Sequence, residues 1–109
     1  MLKYFAPLAA LLFALPVHAD EIEGPWTVSN GERVRYSACG TAWCSTIETG
    51  PLAGKSIGRV EGTGPTYVGT VIDPESDTAY EGRAAVDGNK LTVTGCVAKV
   101  FCRSQVLTR

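Results

Sequence analysis

The sequence predicts a small all-β domain, an up-and-down antiparallel barrel of about eight strands, with a β-sandwich as the alternative. After residue 19, no stretch keeps the period of an amphipathic helix. Twelve glycines and six prolines interrupt the 109 residues, and the segments between them are rich in Val, Thr and Tyr. Because closing the sheet leaves no exposed strand edge, the barrel is the preferred arrangement.

The first nineteen residues have the pattern of a secretory signal peptide. Lys3 gives a positive start, residues 6–17 form an apolar run too short to span a membrane, and Val17-His18-Ala19 suits a signal peptidase. We therefore expect cleavage after Ala19, a single domain over residues 20–109, a periplasmic or secreted protein, and no membrane span after cleavage. An uncleaved N-terminal anchor is the alternative.

Composition argues against several function classes. Loss of Lys3 with the signal peptide changes the net charge from −1 to −2, whereas nucleic-acid binding needs a basic surface. His18, the only histidine, leaves as well, so we expect no histidine-dependent catalysis and no histidine-bound metal. The sequence thus predicts a protein that is not an enzyme and that has no cofactor or metal.

The first predicted hairpin joins strands 25–28 and 32–38. A three-residue loop, Ser29-Asn30-Gly31, sets Trp26 opposite Val34, with Gly31 left-handed in a bulge. A two-residue Asn30-Gly31 turn would instead mix apolar and polar residues on one face. The longer loop is therefore preferred. Further strands are predicted at 44–48, 56–61 and 66–72, followed by an Asp-Pro turn.

The clearest hairpin joins strands 78–86 and 90–96. A two-residue turn at Gly88-Asn89 pairs apolar or small residues on one face, and charged and threonine side chains occupy the other. One face is therefore buried and the other exposed, as in an antiparallel sheet. The eighth strand is predicted at 101–108. The paired residues are Val86 with Leu91, Ala84 with Val93, and Gly82 with Gly95.

Four cysteines remain in an exported chain, and an even number there indicates disulfides. The spacings lack the Cys-x-x-Cys pattern typical of zinc or redox sites. In an up-and-down barrel, Cys39 and Cys44 share one rim, and Cys96 and Cys102 share the other. Crossed pairs would exceed the limit of about 7 Å between Cα atoms. We therefore predict Cys39–Cys44 and Cys96–Cys102.

Several segments resemble a bacterial family without assigned activity, the domain-of-unknown-function family 2147. The resemblance extends over nearly all of residues 20–109. It implies an exported, lipocalin-like β-barrel and no reaction, cofactor or catalytic residue. The resembling segments are Gly24-Pro25-Trp26, Val34-Arg35-Tyr36 with Cys39-Gly40 and Trp43-Cys44, Val71-Ile72-Asp73-Pro74 with Tyr80, and residues 91–96 with 101–109.

Two groups of residues are candidates for binding a ligand. Arg103 and Gln105 lie on the same face of the last strand as Phe101 and Leu107. If that face is internal, a buried arginine needs an anionic partner, which could be a ligand or a protein acid. The alternatives are a structural ion pair or an outward, solvated face. The second group is aromatic and either lines a pocket or fills the core: Trp26, Tyr36, Tyr67 and Tyr80.

Four acidic residues are close together in sequence, namely Asp73, Glu75, Asp77 and Glu81. A calcium loop would have a central glycine, which residues 73–77 lack, so a solvated turn is the better interpretation. The same acids are the only crowded carboxylates, and catalysis is accordingly the least favoured function.

Two functions remain open for the predicted barrel. The first is binding of a small apolar or amphipathic ligand inside it, since eight strands enclose either packed side chains or one small molecule. The second is a protein–protein module of the cell envelope, a stress factor or enzyme inhibitor that acts through rim loops. A cavity favours the first, and an exposed rim aromatic such as Trp43 favours the second. In both cases we expect a monomer.

Overall fold

The computed structural model describes residues 20–98 and 100–109 and consists of one closed antiparallel barrel. The predicted up-and-down barrel is confirmed. No helix in this part of the chain is long and apolar enough to span a membrane. The predicted signal peptide lies outside the described residues and stays a prediction. The strands, in sequence order around the barrel, are β1 Gly24–Thr27, β2 Arg33–Cys39, β3 Ala42–Ile47, β4 Ser56–Glu61, β5 Thr66–Asp73, β6 Thr78–Asp87, β7 Lys90–Val97 and β8 Phe101–Thr108.

The β1–β2 hairpin has the predicted register, with Trp26 opposite Val34. Gly31 has a φ of 92°, a left-handed conformation that glycine adopts without steric cost. Its amide donates to the carbonyl of Val28 at 2.8 Å, and the loop is thereby closed. The apolar face of both strands consequently points into the barrel.

The β6–β7 hairpin also follows the sequence pattern. Val86 pairs with Leu91, and Ala84 pairs with Val93. The inward residues Ala84, Val86 and Leu91 are buried, whereas Arg83 on the opposite face of β6 is exposed. The alternation of apolar and polar residues therefore identified the core face correctly.

Strand β3 begins earlier than the sequence indicated. Predicted to start at Cys44, it starts at Ala42, which pairs with Cys39 and is 2 % exposed. Because Ala42 is buried against the end of the barrel, its backbone joins the ladder although its small side chain gives little strand signal. The predicted turn at 40–43 is correspondingly shorter.

An irregularity in β4 changes which residues face the interior. Ser45 pairs with Gly58 and Thr46 with Ser56, so Ile57 is an extra residue in a β-bulge. The Ile57 side chain is half-buried against the core. Without the bulge, strict alternation would give Ile57 and Gly58 opposite faces, and Ile57 would point outward.

Three glycines form a row across neighbouring strands, since Gly69 pairs with Gly82 and Gly82 pairs with Gly95. A Cβ at Gly69 would lie 2.1 Å from the carbonyl oxygen of Arg59. A Cβ at Gly82 would lie 2.2 Å from a methyl carbon of Val71. The backbones of β4, β5 and β6 therefore approach more closely here than side chains would permit.

The end of the barrel at which β1 begins is closed by residues 20–23. Ile22 is fully buried, and its carbonyl oxygen accepts a hydrogen bond from Trp26 Nε1 at 2.9 Å. Tyr67, also fully buried, donates its hydroxyl to Asp20. Arg109 donates to the carbonyl oxygens of Glu21 at 2.7 Å and Glu23 at 3.0 Å. The N-terminal segment is therefore packed into the barrel as part of its core.

Both predicted disulfides are present, Cys39–Cys44 and Cys96–Cys102. The first joins the end of β2 to β3 at the closed end. The second joins β7 to β8 at the opposite end, where Cys96 and Cys102 are directly paired. The local pairing deduced from the strand order is thus confirmed. Each bond closes a short loop, which stabilises the fold by about 2 kcal/mol in the chain-entropy model.

We expect non-reduced peptide mapping of the oxidised protein to link Cys39 to Cys44 and Cys96 to Cys102. Cleavage between Cys44 and Cys96 should then separate the two halves without a reducing agent, because neither bond crosses between them. A reduced and alkylated sample is the control. A peptide joining Cys39 or Cys44 to the C-terminal pair would contradict both the pairing and the strand order.

Candidate functional site

A cavity of about 460 Å³ lies at the end of the barrel opposite residues 20–23. The up-and-down order brings the β1–β2, β3–β4 and β5–β6 turns together at this end. The volume falls within the range of roughly 300–1,000 Å³ typical of small-molecule sites. The lining residues are Val28, Asn30, Glu32, Val34, Tyr36, Ile47, Pro51, Leu52, Ile57, Val71, Ile72, Asp73, Pro74, Glu75, Val93, Gln105 and Leu107.

The inner walls of the cavity are mainly aliphatic. Val34, Ile47 and Leu107 are buried, and they form the part of the wall that continues into the core. Val71 and Val93 are half-buried, so part of each side chain faces the cavity. Contact with an apolar ligand would remove this remaining surface from water, which is favourable by about 25 cal/mol per Å².

Uncharged polar side chains also line this cavity, and besides Asn30 in the β1–β2 turn they are Tyr36 and Gln105. Tyr36 is 4 % exposed, and burial raises the pKa of its hydroxyl, although a hydrogen bond with Ser45 acts in the opposite direction. The hydroxyl is consequently neutral at physiological pH and can donate or accept a hydrogen bond. Gln105, on β8, is exposed and contributes an amide.

The mouth of the cavity is acidic. Glu32 follows the β1–β2 turn, and Asp73 and Glu75 belong to the β5–β6 connection. Thr49 Oγ1 lies 3.4 Å from Glu32 Oε1 and donates to it. Asp73 Oδ1 accepts the amide of Glu75 at 2.9 Å, which orders that turn. The lining residues include three carboxylates and no lysine or arginine.

Of the ligand-binding candidates named from the sequence, Gln105 lines this cavity, and so does Tyr36. Trp26 and Tyr67 lie in the core at the closed end. Burial, followed by the hydrogen bond to Asp20 and its charge, raises the pKa of Tyr67 well above its ordinary value. Tyr80 is half-buried beside Gly95 and outside the cavity lining. A ligand-binding role for these residues stays a prediction.

Arg103 is exposed and forms no ion pair with any described residue. Arg103 is exposed because β8 pairs with β1 over only one residue pair, Thr108 with Thr27, in the described chain. The earlier residues of β8 therefore have a neighbouring strand only on the β7 side. Arg103 pairs with Gly95, which provides no side chain to cover it.

Sequence reasoning missed most of the cavity mouth. The sequence pattern predicts a solvated turn at Asp73 and Glu75 and does not single out Glu32 or Leu52, yet all four line the cavity. The strand order could have predicted that these turns lie together, because every second turn of an up-and-down barrel lies at the same end. Ile57 could not be found in this way, because its inward position depends on the bulge.

Within residues 20–98 and 100–109, no group of three or more His, Cys, Asp or Glu side chains is arranged to hold a metal ion. In particular, the acids of the β5–β6 turn do not converge as calcium ligands would. Lys55 donates to Asp77 Oδ1 at 3.2 Å and to the carbonyl oxygen of Pro74 at 2.9 Å, and this ties β4 to the turn.

Comparison with known proteins places the chain in a family. Neither the curated proteins nor the solved structures contained a significant match. The model of the family DUF2147, described as an uncharacterized protein conserved in bacteria, matches residues 48–109. The matched range covers β4 to β8 and includes the Asp-Pro turn and the Cys96–Cys102 hairpin. More than half of the chain fits this model, and the protein therefore belongs to the DUF2147 family.

Proposed function

We propose that the protein binds a small apolar or amphipathic molecule inside the barrel. The observation that carries this proposal is the cavity of about 460 Å³ with an aliphatic interior and an open mouth. The cavity is open at one end only, because Trp26, Tyr67 and Ile22 fill the opposite end of the barrel. A ligand would enter between the three turns and lie against walls formed by β2–β4, β5, β7 and β8.

We infer a binding role and not a catalytic one. No histidine follows residue 18, and the polar groups along the cavity are Asn30, Tyr36, Gln105 and the mouth carboxylates. The neutral hydroxyl of Tyr36 suits hydrogen bonding to a ligand, whereas its raised pKa makes it a weaker acid than an ordinary tyrosine and keeps its phenolate form unpopulated near neutral pH. The proposed binding role requires no cofactor, and we propose that the protein acts as a monomer.

We further propose that the site operates outside the cytoplasm, in the periplasm or after secretion. Two disulfides in a small domain fit an oxidising compartment. The predicted signal peptide at residues 1–19 supports the same location. Both lines are independent of the cavity, so a failure to bind ligand would leave the proposed location unchanged.

Replacing Val93 with phenylalanine is expected to weaken ligand binding at least about tenfold, because the larger side chain occupies the cavity beside Gln105. Val93 is half-buried, and the empty space in front of it can accept the ring with little loss of stability. Titration with a neutral solvatochromic dye such as Nile red measures the affinity, and thermal melting reports the fold.

The matched control is Val106→Phe, which adds the same ring to an outward position that is 47 % exposed on β8. This variant should bind the dye as the parent does. Equal affinity of the Val93 variant and the parent would place the dye outside the cavity. A parent protein that binds no apolar probe would argue against the proposed function itself.

The second candidate is a protein–protein module of the cell envelope, and one observation favours it. The β7–β8 hairpin carries an exposed apolar tip, in which Phe101 is 76 %, Val100 72 % and Val97 49 % exposed. The Cys96–Cys102 bond lies directly below this tip. Trp43, which the sequence suggested as the rim aromatic, is half-buried against the core instead. A stress factor or enzyme inhibitor would use Phe101 as its contact residue.

A further inference from the structure

We propose that the ligand is a cationic amphiphile, with its apolar chain in the barrel and its positive group at the mouth between Glu32, Asp73 and Glu75. This inference rests on the proposed function and specifies the charge of the molecule bound. It combines two features of the same cavity, the aliphatic interior and the unbalanced charge of the lining.

The mouth carboxylates have no cationic partner in the described chain. The ion pairs among the described residues are Arg35 with Glu48, Lys55 with Asp77, and Arg59 with Glu61. None of them includes Glu32, Asp73 or Glu75. Lys55, the lysine that contacts the β5–β6 turn, already donates to Asp77 and to the carbonyl oxygen of Pro74, and it is not part of the lining.

Two of the carboxylates are partly withdrawn from water. Glu32 and Asp73 are half-buried, and Glu75 is exposed at the outer edge. They lie on two different turns, so the charge is distributed on both sides of the mouth. Near low-dielectric walls, like charges on facing turns repel one another, and a bound cation would relieve this repulsion.

The interior of the cavity determines the apolar part of the proposed ligand. Below the acids, the lining is aliphatic apart from the neutral side chains of Tyr36 and Gln105. A fully hydrated metal ion or polyamine would leave this surface uncovered. A molecule with a hydrocarbon chain would cover it and still keep its charged end in the partly solvated mouth.

The same geometry disfavours an anionic amphiphile such as a fatty acid. Its carboxylate would either meet three like charges at the mouth or be buried in a cavity with no lysine or arginine. Arg103, the cation that the sequence analysis considered for such a ligand, is exposed and outside the cavity lining.

Isothermal titration with three probes of equal chain length tests the inference: decyltrimethylammonium and decyl sulfate, each below its micelle concentration, and decanol below its solubility limit. The parent should bind the cation roughly tenfold more tightly than decanol, and the sulfate most weakly. Raising the ionic strength should reduce the preference for the cation and leave decanol affinity unchanged, because salt screens charges at a solvated mouth.

A variant with Glu32→Gln, Asp73→Asn and Glu75→Gln keeps the shape of the mouth and removes its charge. It should bind decanol as the parent does and lose the preference for the cation. The matched control changes three acids outside the cavity, Glu61→Gln, Glu81→Gln and Asp87→Asn, and should keep the preference, because its net charge changes equally but its mouth does not.

Decyl sulfate binding as tightly as the cation, or a neutral-mouth variant that keeps the full preference, would overturn the inference and leave ligand binding intact. Binding of none of the three probes by the parent would instead contradict the proposed function, and the inference with it. If the neutral-mouth variant does not fold, the order of the three probes and its salt dependence in the parent still decide the question.

Discussion

Replacing Trp26 with alanine is expected to lower the free energy of unfolding by about 3–5 kcal/mol, the usual range for removing a buried tryptophan. The side chain is 1 % exposed and joins three parts of the fold. Its ring packs in the core opposite Val34, and Nε1 donates to the carbonyl oxygen of Ile22. The guanidinium of Arg109 lies 4.0 Å from the ring centroid, on the face that attracts a cation.

Urea unfolding of the oxidised protein, followed by circular dichroism, measures this loss. Trp43→Ala is the control, because Trp43 is half-buried and its removal should cost less. A Trp26 variant that unfolds at the same urea concentration as the parent would mean that Trp26 is outside the core. The β1–β2 register and the docking of residues 20–23 would then both be wrong.

Replacing Gly69 with alanine is expected to destabilise the barrel by about 1–3 kcal/mol, a typical cost of inserting a methyl group into a packed site. The new Cβ would lie 2.1 Å from Arg59 O and 2.8 Å from Val60 Cα. Both are backbone atoms of β4, so no side-chain rotation can relieve the clash. Strands β4 and β5 must separate, and the hydrogen bonds of their ladder weaken as a result.

Gly95→Ala is the control that tests whether the Cβ clash at Gly69, and not simply the replacement of a strand glycine, lowers the stability. Its Cβ would meet Tyr80 and Val71 at 3.7 Å, which is an ordinary contact distance. Alanine at position 95 should therefore be neutral or slightly stabilising, because it also restricts the unfolded chain. Equal melting of both variants would show that β4 and β5 are further apart than described.

The two ends of the barrel differ in how completely they are packed. At the closed end, Ile22, Trp26 and Tyr67 are almost completely buried and supply much of the core. At the open end, the lining residues Ile57, Val71 and Val93 are only half-buried, and this is the surface that the proposed ligand would cover. Substitutions at the closed end should therefore change stability, whereas those at the mouth should change binding with little effect on stability.

Much of the fold followed from local signals in the sequence. The alternation of apolar residues gave the inward faces of β6 and β7 and the pairing of Val86 with Leu91. The three-residue loop ending at Gly31 set Trp26 opposite Val34. Strand order then restricted the disulfides to Cys39–Cys44 and Cys96–Cys102. Each of these inferences required only knowing which face of a strand a residue occupies or at which end of the barrel a turn lies.

Residue alternation predicted less of the candidate site than of the fold. A period of two says which face a residue occupies, and it says nothing about depth along the barrel. Arg103 and Gln105 share a strand face with Leu107 in the period-two pattern, yet Leu107 is 4 % exposed whereas the two polar residues are exposed. The difference arises because β8 meets β1 only at Thr108 and Thr27, so the rest of β8 is covered from one side.

The sequence by itself determined the strands, their order, the core face and the covalent framework, since these depend on residue alternation, turn chemistry and chain connectivity. Only the tertiary structure decided where the barrel is filled and where it is empty. Docking of residues 20–23 fills one end, the bulge turns Ile57 inward, and three turns bring Glu32, Asp73 and Glu75 to one mouth. These arrangements depend on packing between segments distant in sequence, which no local pattern records.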